Sequence, residues 1–109
     1  MEQNFSDMLE RYFIQVVLAL LEEKKLDYSK FAVKVWPDVP KKTAVGRFRL
    51  MRNATTDGKY QNITLTAASR MAETLDVDLS YIVSVAKSDA IRALKAGEAI
   101  RVLKEGKEA

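Results

Sequence analysis

Residues 27–52 read DYSKFAVKVWPDVPKKTAVGRFRLMR, and this stretch decides the fold. Asp27 is suited to cap a short helix, because its side-chain oxygen accepts hydrogen bonds from the first free backbone N–H groups. That helix must end by Trp36, since Pro37 disfavours the α conformation at the residue before it. A second helix then covers roughly residues 40–52. The stretch predicts two helices joined by a turn, with these inward-facing side chains: Phe31, Ala32, Val35, Ala44, Val45, Phe48 and Met51.

A long amphipathic helix precedes this pair. Asp7 and Glu10 have the D-x-x-E spacing of a capping box, and they open a helical pattern that continues to Lys25. Apolar residues recur at intervals of three and four, which is typical of a helix with one buried face. The predicted buried face consists of Leu9, Phe13, Val16, Val17, Leu20 and Leu21.

Two more helices follow a polar loop at residues 53–62, which contains the turn signal Asp57-Gly58. Thr64 can cap the fourth helix, and the fifth is predicted over residues 79–86. Because no strand pattern of useful length occurs, we expect an all-α fold. The predicted core faces of these two helices are Leu65, Ala68, Met71, Ala72 and Leu75, and Tyr81, Ile82 and Val85.

The C-terminal residues carry a short internal repeat. The segment IRALKAG at 91–97 is echoed by IRVLKEG at 100–106, nine residues later. Nine residues make about two and a half helical turns, so one continuous helix would place the copies on opposite sides. Either the helix breaks near Gly97, or both faces are covered, as by a partner chain. We therefore treat 1–88 as the domain and 89–109 as a helical tail, a candidate dimerisation element.

The composition narrows the function. The 109 residues include no His and no Cys, which excludes Ser-His and Cys-His catalytic pairs, thiolate or imidazole zinc sites and disulfides. Nothing converges on an active site, so we expect no enzyme, no cofactor and no metal. The most apolar run, residues 13–21, is shorter than the ~20 residues that span a bilayer. We expect a cytoplasmic protein without membrane contact.

The positive charge is concentrated in one part of the chain. The net charge is +3, yet residues 29–62 contain eight basic residues against two acidic ones. A basic patch on a nearly neutral body is the electrostatic footprint of a protein that binds the phosphate backbone of nucleic acid. A solvated basic face without a partner is the alternative.

Two blocks resemble the phage-repressor (Cro/XRE-like) family. Residues 20–32, LLEEKKLDYSKFA, are similar to the family pattern L-R-E-E-K-G-L-S-Q-E-E-L-A. Residues 64–82, TLTAASRMAETLDVDLSYI, are similar to its closing helices, S-L-E-T-L-L-K-L-A-K-A-L-G-V-S-L-D-Y-L. The resemblance covers about residues 17–83. It implies a five-helix lambda-repressor-like helix-turn-helix bundle, here with an extended first helix and an additional C-terminal helical segment.

The resemblance also implies a function: sequence-specific binding of double-stranded DNA by a bacterial or phage transcriptional regulator, acting as a homodimer. Helix 40–52 would then read the major groove. The residues expected to contact bases are Lys41, Lys42, Thr43 and Arg47. Those expected to contact the DNA backbone are Tyr28, Arg49, Arg52, Lys59 and Thr64.

The chain departs from the family pattern at the turn, which leaves a second function open. The segment from Ala32 to Pro40 is longer than the family's A-x-x-x-G-V-S turn and lacks its glycine, and Tyr28 replaces a glutamine. The alternative is a degenerate helix-turn-helix protein-interaction module, antitoxin-like or a phage accessory protein, without specific DNA binding.

Overall fold

The computed structural model describes residues 5–53 and 59–108, with side chains described as far as residue 97. Helices account for most of these residues, and the described ranges contain no strand. The helices are α1 (Phe5–Glu23), α2 (Tyr28–Val35), α3 (Lys41–Arg52), α4 (Leu65–Thr74) and α5 (Leu79–Glu108). The all-α prediction is confirmed. The predicted turn at Asp57-Gly58 lies outside the described residues.

One hydrophobic core joins the five helices. α1 packs mainly against α5, while α2 packs against α3 and α4. Trp36 covers the core at the α2–α3 turn and is 8% exposed. The largest fully buried side chains are Phe31, Phe48, Leu21, Met51, Met71, Leu75, Ile82, Val17 and Val35. Because α1 packs mainly against α5, the extended first helix contributes to the hydrophobic core.

Two helices begin at side-chain caps predicted from the sequence. The Asp27 Oδ1 atom accepts hydrogen bonds from the backbone N–H groups of Ser29 and Lys30, at 2.7 and 3.1 Å. The Thr64 hydroxyl accepts one from Ala67 N–H, at 3.1 Å. Each cap satisfies N–H groups that have no partner within the helix.

Two helices end in left-handed residues that are not glycine. Lys25, after α1, has φ of 55°, and Asp76, after α4, has φ of 57°. Beyond each, the chain closes a Schellman motif, in which the backbone N–H of the next residue donates to the carbonyl five residues before it. Leu26 donates to the Leu21 carbonyl at 2.9 Å, and Val77 donates to the Ala72 carbonyl at 3.0 Å.

The predicted capping box of the first helix is wrong. The helix begins at Phe5, so Asp7 lies inside its first turn. Glu10 serves another purpose, because its Oε1 atom accepts a hydrogen bond from the backbone N–H of Ile63 at 2.6 Å. The carboxylate holds the segment before α4 against α1.

Two residues predicted for the core are exposed. Leu65 is 78% exposed and Tyr81 is 53% exposed. Both residues lie in the first turn of a helix, where the direction of a side chain depends on the path of the preceding turn. The buried stripes run instead through Ala67, Ala68, Met71 and Ala72 in α4 and through Ile82, Ala86 and Ala90 in α5.

The prediction of a fifth helix ending at Ala86 is wrong. α5 is continuous to Glu108, so neither the boundary at 88–89 nor Gly97 interrupts it. A glycine in a helix interior costs only about 1 kcal/mol against Ala, which the surrounding strong helix formers offset. Among the residues whose side chains are described, Ala90 is the last buried one, and Ile91 and Leu94 are 36% and 42% exposed. The described part of the helix after Ala90 is therefore largely in solvent.

Candidate nucleic-acid interface

The first turn of α3 is positively charged and open. Lys41, Lys42 and Thr43 are all exposed there. The preceding residue, Pro40, makes no side-chain cap, and the turn contains no acidic residue. Since the first N–H groups of a helix have no intrahelical partner and carry its positive dipole end, two lysines here add repulsion instead of relieving it. An anion at this end would relieve the repulsion.

A shallow groove lies beside this turn and follows one face of α3. Lys42, Gly46 and Arg49 are spaced by four and three residues, so they share that face. The groove has a volume of about 590 Å³ and is also lined by Ser29, Lys41 and Val45. A Cβ atom added at Gly46 would meet nothing within 4 Å, so the backbone is accessible at this point.

Arg47 stands apart from Lys42 among the predicted base contacts. It is five residues after Lys42, which at about 100° per residue turns it roughly 140° away around the helix. It is half-buried, whereas Lys41, Lys42 and Thr43 are exposed. The structure places Lys41 and Lys42 at the groove, whereas Thr43 and Arg47, four residues apart, share the adjacent flank of α3.

Two residues predicted to contact the DNA backbone, Arg52 and Tyr28, stack on each other. The guanidinium carbon of Arg52 lies 4.7 Å from the ring centre of Tyr28 and 4.9 Å from that of Phe48. The Tyr28 and Phe48 rings meet edge to face at 5.7 Å. Arg52 is half-buried, and its Nε atom has no hydrogen-bond partner among the described residues. This cation–π stack joins the start of α2 to the end of α3.

The remaining predicted backbone contacts lie in three places. Arg49 is exposed on the groove face of α3. Lys59 is exposed in the segment that leads to α4. The Thr64 hydroxyl already caps α4, as described above, so its oxygen is committed to the helix.

Arg11, which the sequence did not single out, anchors the segment that carries Lys59. Its Nη1 atom donates to the Met51 carbonyl at 2.6 Å, at the C-terminal end of α3. Its guanidinium carbon lies 3.9 Å from the ring centre of Tyr60. Burial lowers the pKa of Arg11, although nearby Glu10 opposes this shift. The segment is also tied to α3 by the Gln61 N–H, which donates to the Leu50 carbonyl at 3.1 Å.

Arg70 of α4 holds the α2–α3 turn, which the sequence also did not reveal. Its Nη1 atom donates to the Val35 carbonyl at 3.2 Å, and its Nη2 atom lies 3.6 Å from Asp38 Oδ2. Arg70 and Val35 are 35 residues apart, so periodicity could not pair them. The contact fixes the end of α2 relative to α4.

Carboxylates are scarce around the cations of α3. Within the described ranges, Asp38 pairs with Arg70, and no carboxylate comes within ion-pair distance of the five basic residues of α3. Those cations are Lys41, Lys42, Arg47, Arg49 and Arg52. Their charge is therefore available to an external anion, except where Arg52 stacks on aromatic rings.

The part of the chain that the structure describes contains neither a cluster of metal-ligating side chains nor a membrane-spanning helix. No three His, Cys, Asp or Glu side chains there are grouped so that they could hold a metal ion. None of the helices examined over the same residues has the length and apolar character needed to cross a bilayer.

Comparison with known proteins adds no relative. The chain matches no family model, and no curated protein or solved structure shows significant similarity to it.

Proposed function

We propose that the protein is a sequence-specific double-stranded DNA-binding protein of the phage-repressor (Cro/XRE-like) type, a bacterial or phage transcriptional regulator that reads the major groove with α3. The observation that carries the proposal is the uncapped first turn of α3, where Lys41, Lys42 and Thr43 are exposed and no acidic residue is present. DNA phosphates supply the anion that this end lacks.

The helix ends support the family assignment. The two left-handed residues, Lys25 and Asp76, occupy the two positions at which the quoted family patterns have glycine. Glycine is the residue preferred at such positions, because it has no Cβ penalty there. The two caps, Asp27 and Thr64, occupy positions at which the patterns have serine. Four local features with a physical reason thus fall in register with the patterns.

In this proposal the groove face of α3 lies toward the DNA. Lys42 approaches base edges, and Lys41 and Arg49 reach base or phosphate oxygens from the same side. Thr43 and Arg47 approach base edges from the adjacent flank of the helix. The Arg52 guanidinium stacks on the Tyr28 ring, so both residues act mainly by positioning α2 against α3.

We further propose that the protein acts as a homodimer, because one small module makes too few contacts for tight site-specific binding. The tail of α5 is the proposed dimer element, since Ile91 and Leu94 expose apolar surface there. Sedimentation equilibrium of Leu94→Glu against Lys95→Glu tests this. We expect only Leu94→Glu to shift the protein toward monomer, and equal behaviour of the two variants would contradict the assignment.

The first experiment measures binding of the full chain to labelled duplex DNA, including its own upstream region, across a salt series. We expect one fragment to retain the protein against excess competitor. The variant Arg49→Gln should lower the slope of log K against log salt by ~0.9, the value for one phosphate contact. Lys87→Gln, an exposed lysine on α5, is the matched control and should leave the slope unchanged.

The other outcomes separate the alternatives. Salt-dependent binding without sequence preference would contradict base reading by Lys42 and Thr43 and leave only phosphate binding. Absence of binding at low salt would overturn the DNA proposal. It would favour the protein-interaction module instead, in which Lys41 and Lys42 are replaceable without loss of function.

A further inference from the structure

A second cavity lies beside α2 and shares Lys41 with the groove described above. Its volume is about 460 Å³. Leu26, Phe31 and Val33 form an apolar floor. Its remaining lining residues are Lys30, Lys34, Lys41, Asp27 and Thr74. We refer to it as the lysine-rimmed cavity.

The rim of the lysine-rimmed cavity is net positive. Three lysines face a single carboxylate, that of Asp27. This carboxylate already accepts hydrogen bonds from the N–H groups of Ser29 and Lys30 and caps α2. Those hydrogen bonds hold the pKa of Asp27 below its ordinary value. A ligand entering the cavity would therefore meet cations that the protein itself does not fully neutralise.

The floor of the cavity is unusually exposed for apolar residues. Leu26 is 41% exposed and Val33 is 38% exposed, while Phe31 beneath them is buried. Covering this floor removes apolar surface from water, which is favourable for any ligand with an apolar body. The volume lies within the ~300–1,000 Å³ that small-molecule sites occupy.

We propose that the lysine-rimmed cavity binds an amphiphilic organic anion, with one carboxylate or sulfonate on an apolar body, such as a medium-chain alkyl or an aryl carboxylate. The apolar body lies on Leu26 and Val33, and the anionic group is held by Lys34 and Lys41. Charge complementarity and the apolar floor select this chemistry together. A cation with the same body meets three lysines, and a small hydrophilic anion leaves the floor uncovered.

The ligand also opposes DNA binding, and this part of the inference rests on the proposed function. Lys41 lines both the lysine-rimmed cavity and the groove face of α3. An anion held by Lys41 withdraws that ammonium group from DNA. Since the binding constant K varies as the salt concentration to the power of about −0.9 for each phosphate contact, losing one contact weakens DNA binding about 8-fold at ~0.1 M salt.

The binding test uses the full chain and two probes. The fluorescence of 1-anilinonaphthalene-8-sulfonate reports occupancy, and decanoate competes with it below its micelle concentration. We expect decanoate to displace the dye and decyltrimethylammonium, which has the same alkyl chain and opposite charge, to leave it bound. Lys34→Glu should weaken dye binding about tenfold, the loss expected for one charge-assisted hydrogen bond, whereas Lys87→Glu should not.

Three results would overturn the site. They are no dye binding by the folded protein, equal displacement by the cationic amphiphile, and equal dye binding by Lys34→Glu and Lys87→Glu. Because Lys34 is exposed, folding of its variant is checked directly by the helical circular dichroism signal.

The DNA test is separate. Decanoate at a concentration near its Kd for wild type should weaken DNA binding by wild type, and it should affect DNA binding by Lys34→Glu much less, because the cavity of the variant is then mostly empty. Dye binding without any effect on DNA affinity would overturn the regulatory link alone. Failure of the protein to bind DNA at all would overturn the proposed function, while the dye measurements still decide the cavity.

Discussion

Replacing Lys25 tests the backbone geometry that supports the proposed family. Lys25 has φ of 55°, in the left-handed region. A residue with a Cβ atom costs roughly 1–2 kcal/mol there, whereas glycine costs roughly 0.5–1 kcal/mol in additional chain entropy. The difference predicts that Lys25→Gly is more stable than Lys25→Ala by about 0.5–1 kcal/mol. Alanine is the reference because both variants lack the lysine charge near the end of α1.

A matched site in a helix interior should give the opposite sign. Ser69 is exposed in the middle of α4, where the backbone is right-handed. There glycine is expected to be less stable than alanine by about 1 kcal/mol. Unfolding entropy of ~2.1 cal/mol/K per residue over the 109 residues is about 0.23 kcal/mol/K. The expected Tm differences between Gly and Ala are about +2 to +4 °C at position 25 and about −4 °C at position 69.

The assay is thermal and urea unfolding of the four variants, followed by circular dichroism at 222 nm. Opposite signs at the two positions support the left-handed C-terminal turn of α1. If glycine destabilises position 25 as it does position 69, the residue is not left-handed in solution. The agreement with the glycine of the family pattern would then lose its physical basis.

Further predictions concern the hydrophobic core, the α2–α3 turn, the Asp27 cap and the contacts of Arg11. Phe48→Ala should cost about 3–5 kcal/mol in urea unfolding, because Phe48 is 1% exposed and packs on Phe31 at 5.2 Å; a loss below 1 kcal/mol would contradict its place in the core. Arg70→Ala should cost about 1 kcal/mol through the lost hydrogen bond to a backbone carbonyl. Asp38→Asn should change stability by less than about 0.5 kcal/mol, since the carboxylate is 78% exposed, and equal losses in the two variants would contradict this division. Asp27 has a lowered pKa in the folded state, so its stabilisation is present above the unfolded pKa of ~3.9 and is lost as pH falls through the folded value. Asp27→Asn keeps the cap and should make the urea midpoint depend less on pH between about pH 5 and pH 2. An unchanged fall of the midpoint at acid pH would contradict the assignment. Arg11→Met should increase amide hydrogen exchange at Gln61, because the contacts of Arg11 with the Tyr60 ring and the Met51 carbonyl are lost. Unchanged exchange would show that other contacts hold the segment.

The helices and their caps were largely predictable because they depend on local sequence. Asp27 and Thr64 were recognised from cap chemistry, and the stripe Ala44, Phe48 and Met51 from helical spacing. Leu65 was misplaced because a residue in the first turn of a helix follows the direction of entry, which tertiary packing sets. The end of α5 does not follow from its apolar spacing, because the described part of the helix beyond Ala90 is mostly exposed and carries no buried stripe.

The candidate site was predictable only in part. The exposure of Lys41 and Lys42 follows from the inner stripe of α3, and the same periodicity could have placed Arg47 on the flank. The stack of Arg52 on Tyr28 and the contact of Arg70 with Val35 join residues far apart in sequence. Such contacts depend on how the helices pack, which a single sequence does not encode in any local pattern.

The packing of α1 against α5 has a consequence for synthesis of the chain. α1 is complete at Glu23, but its main partner begins only at Leu79. At ~5–20 residues per second, the ribosome needs several seconds to produce the intervening chain, and the apolar stripe of α1 stays without its partner during that time. The hydrophobic core therefore cannot form progressively from the N-terminus during synthesis. Nascent chains interrupted before α5 would carry an uncovered apolar helix and be substrates for chaperones or proteases.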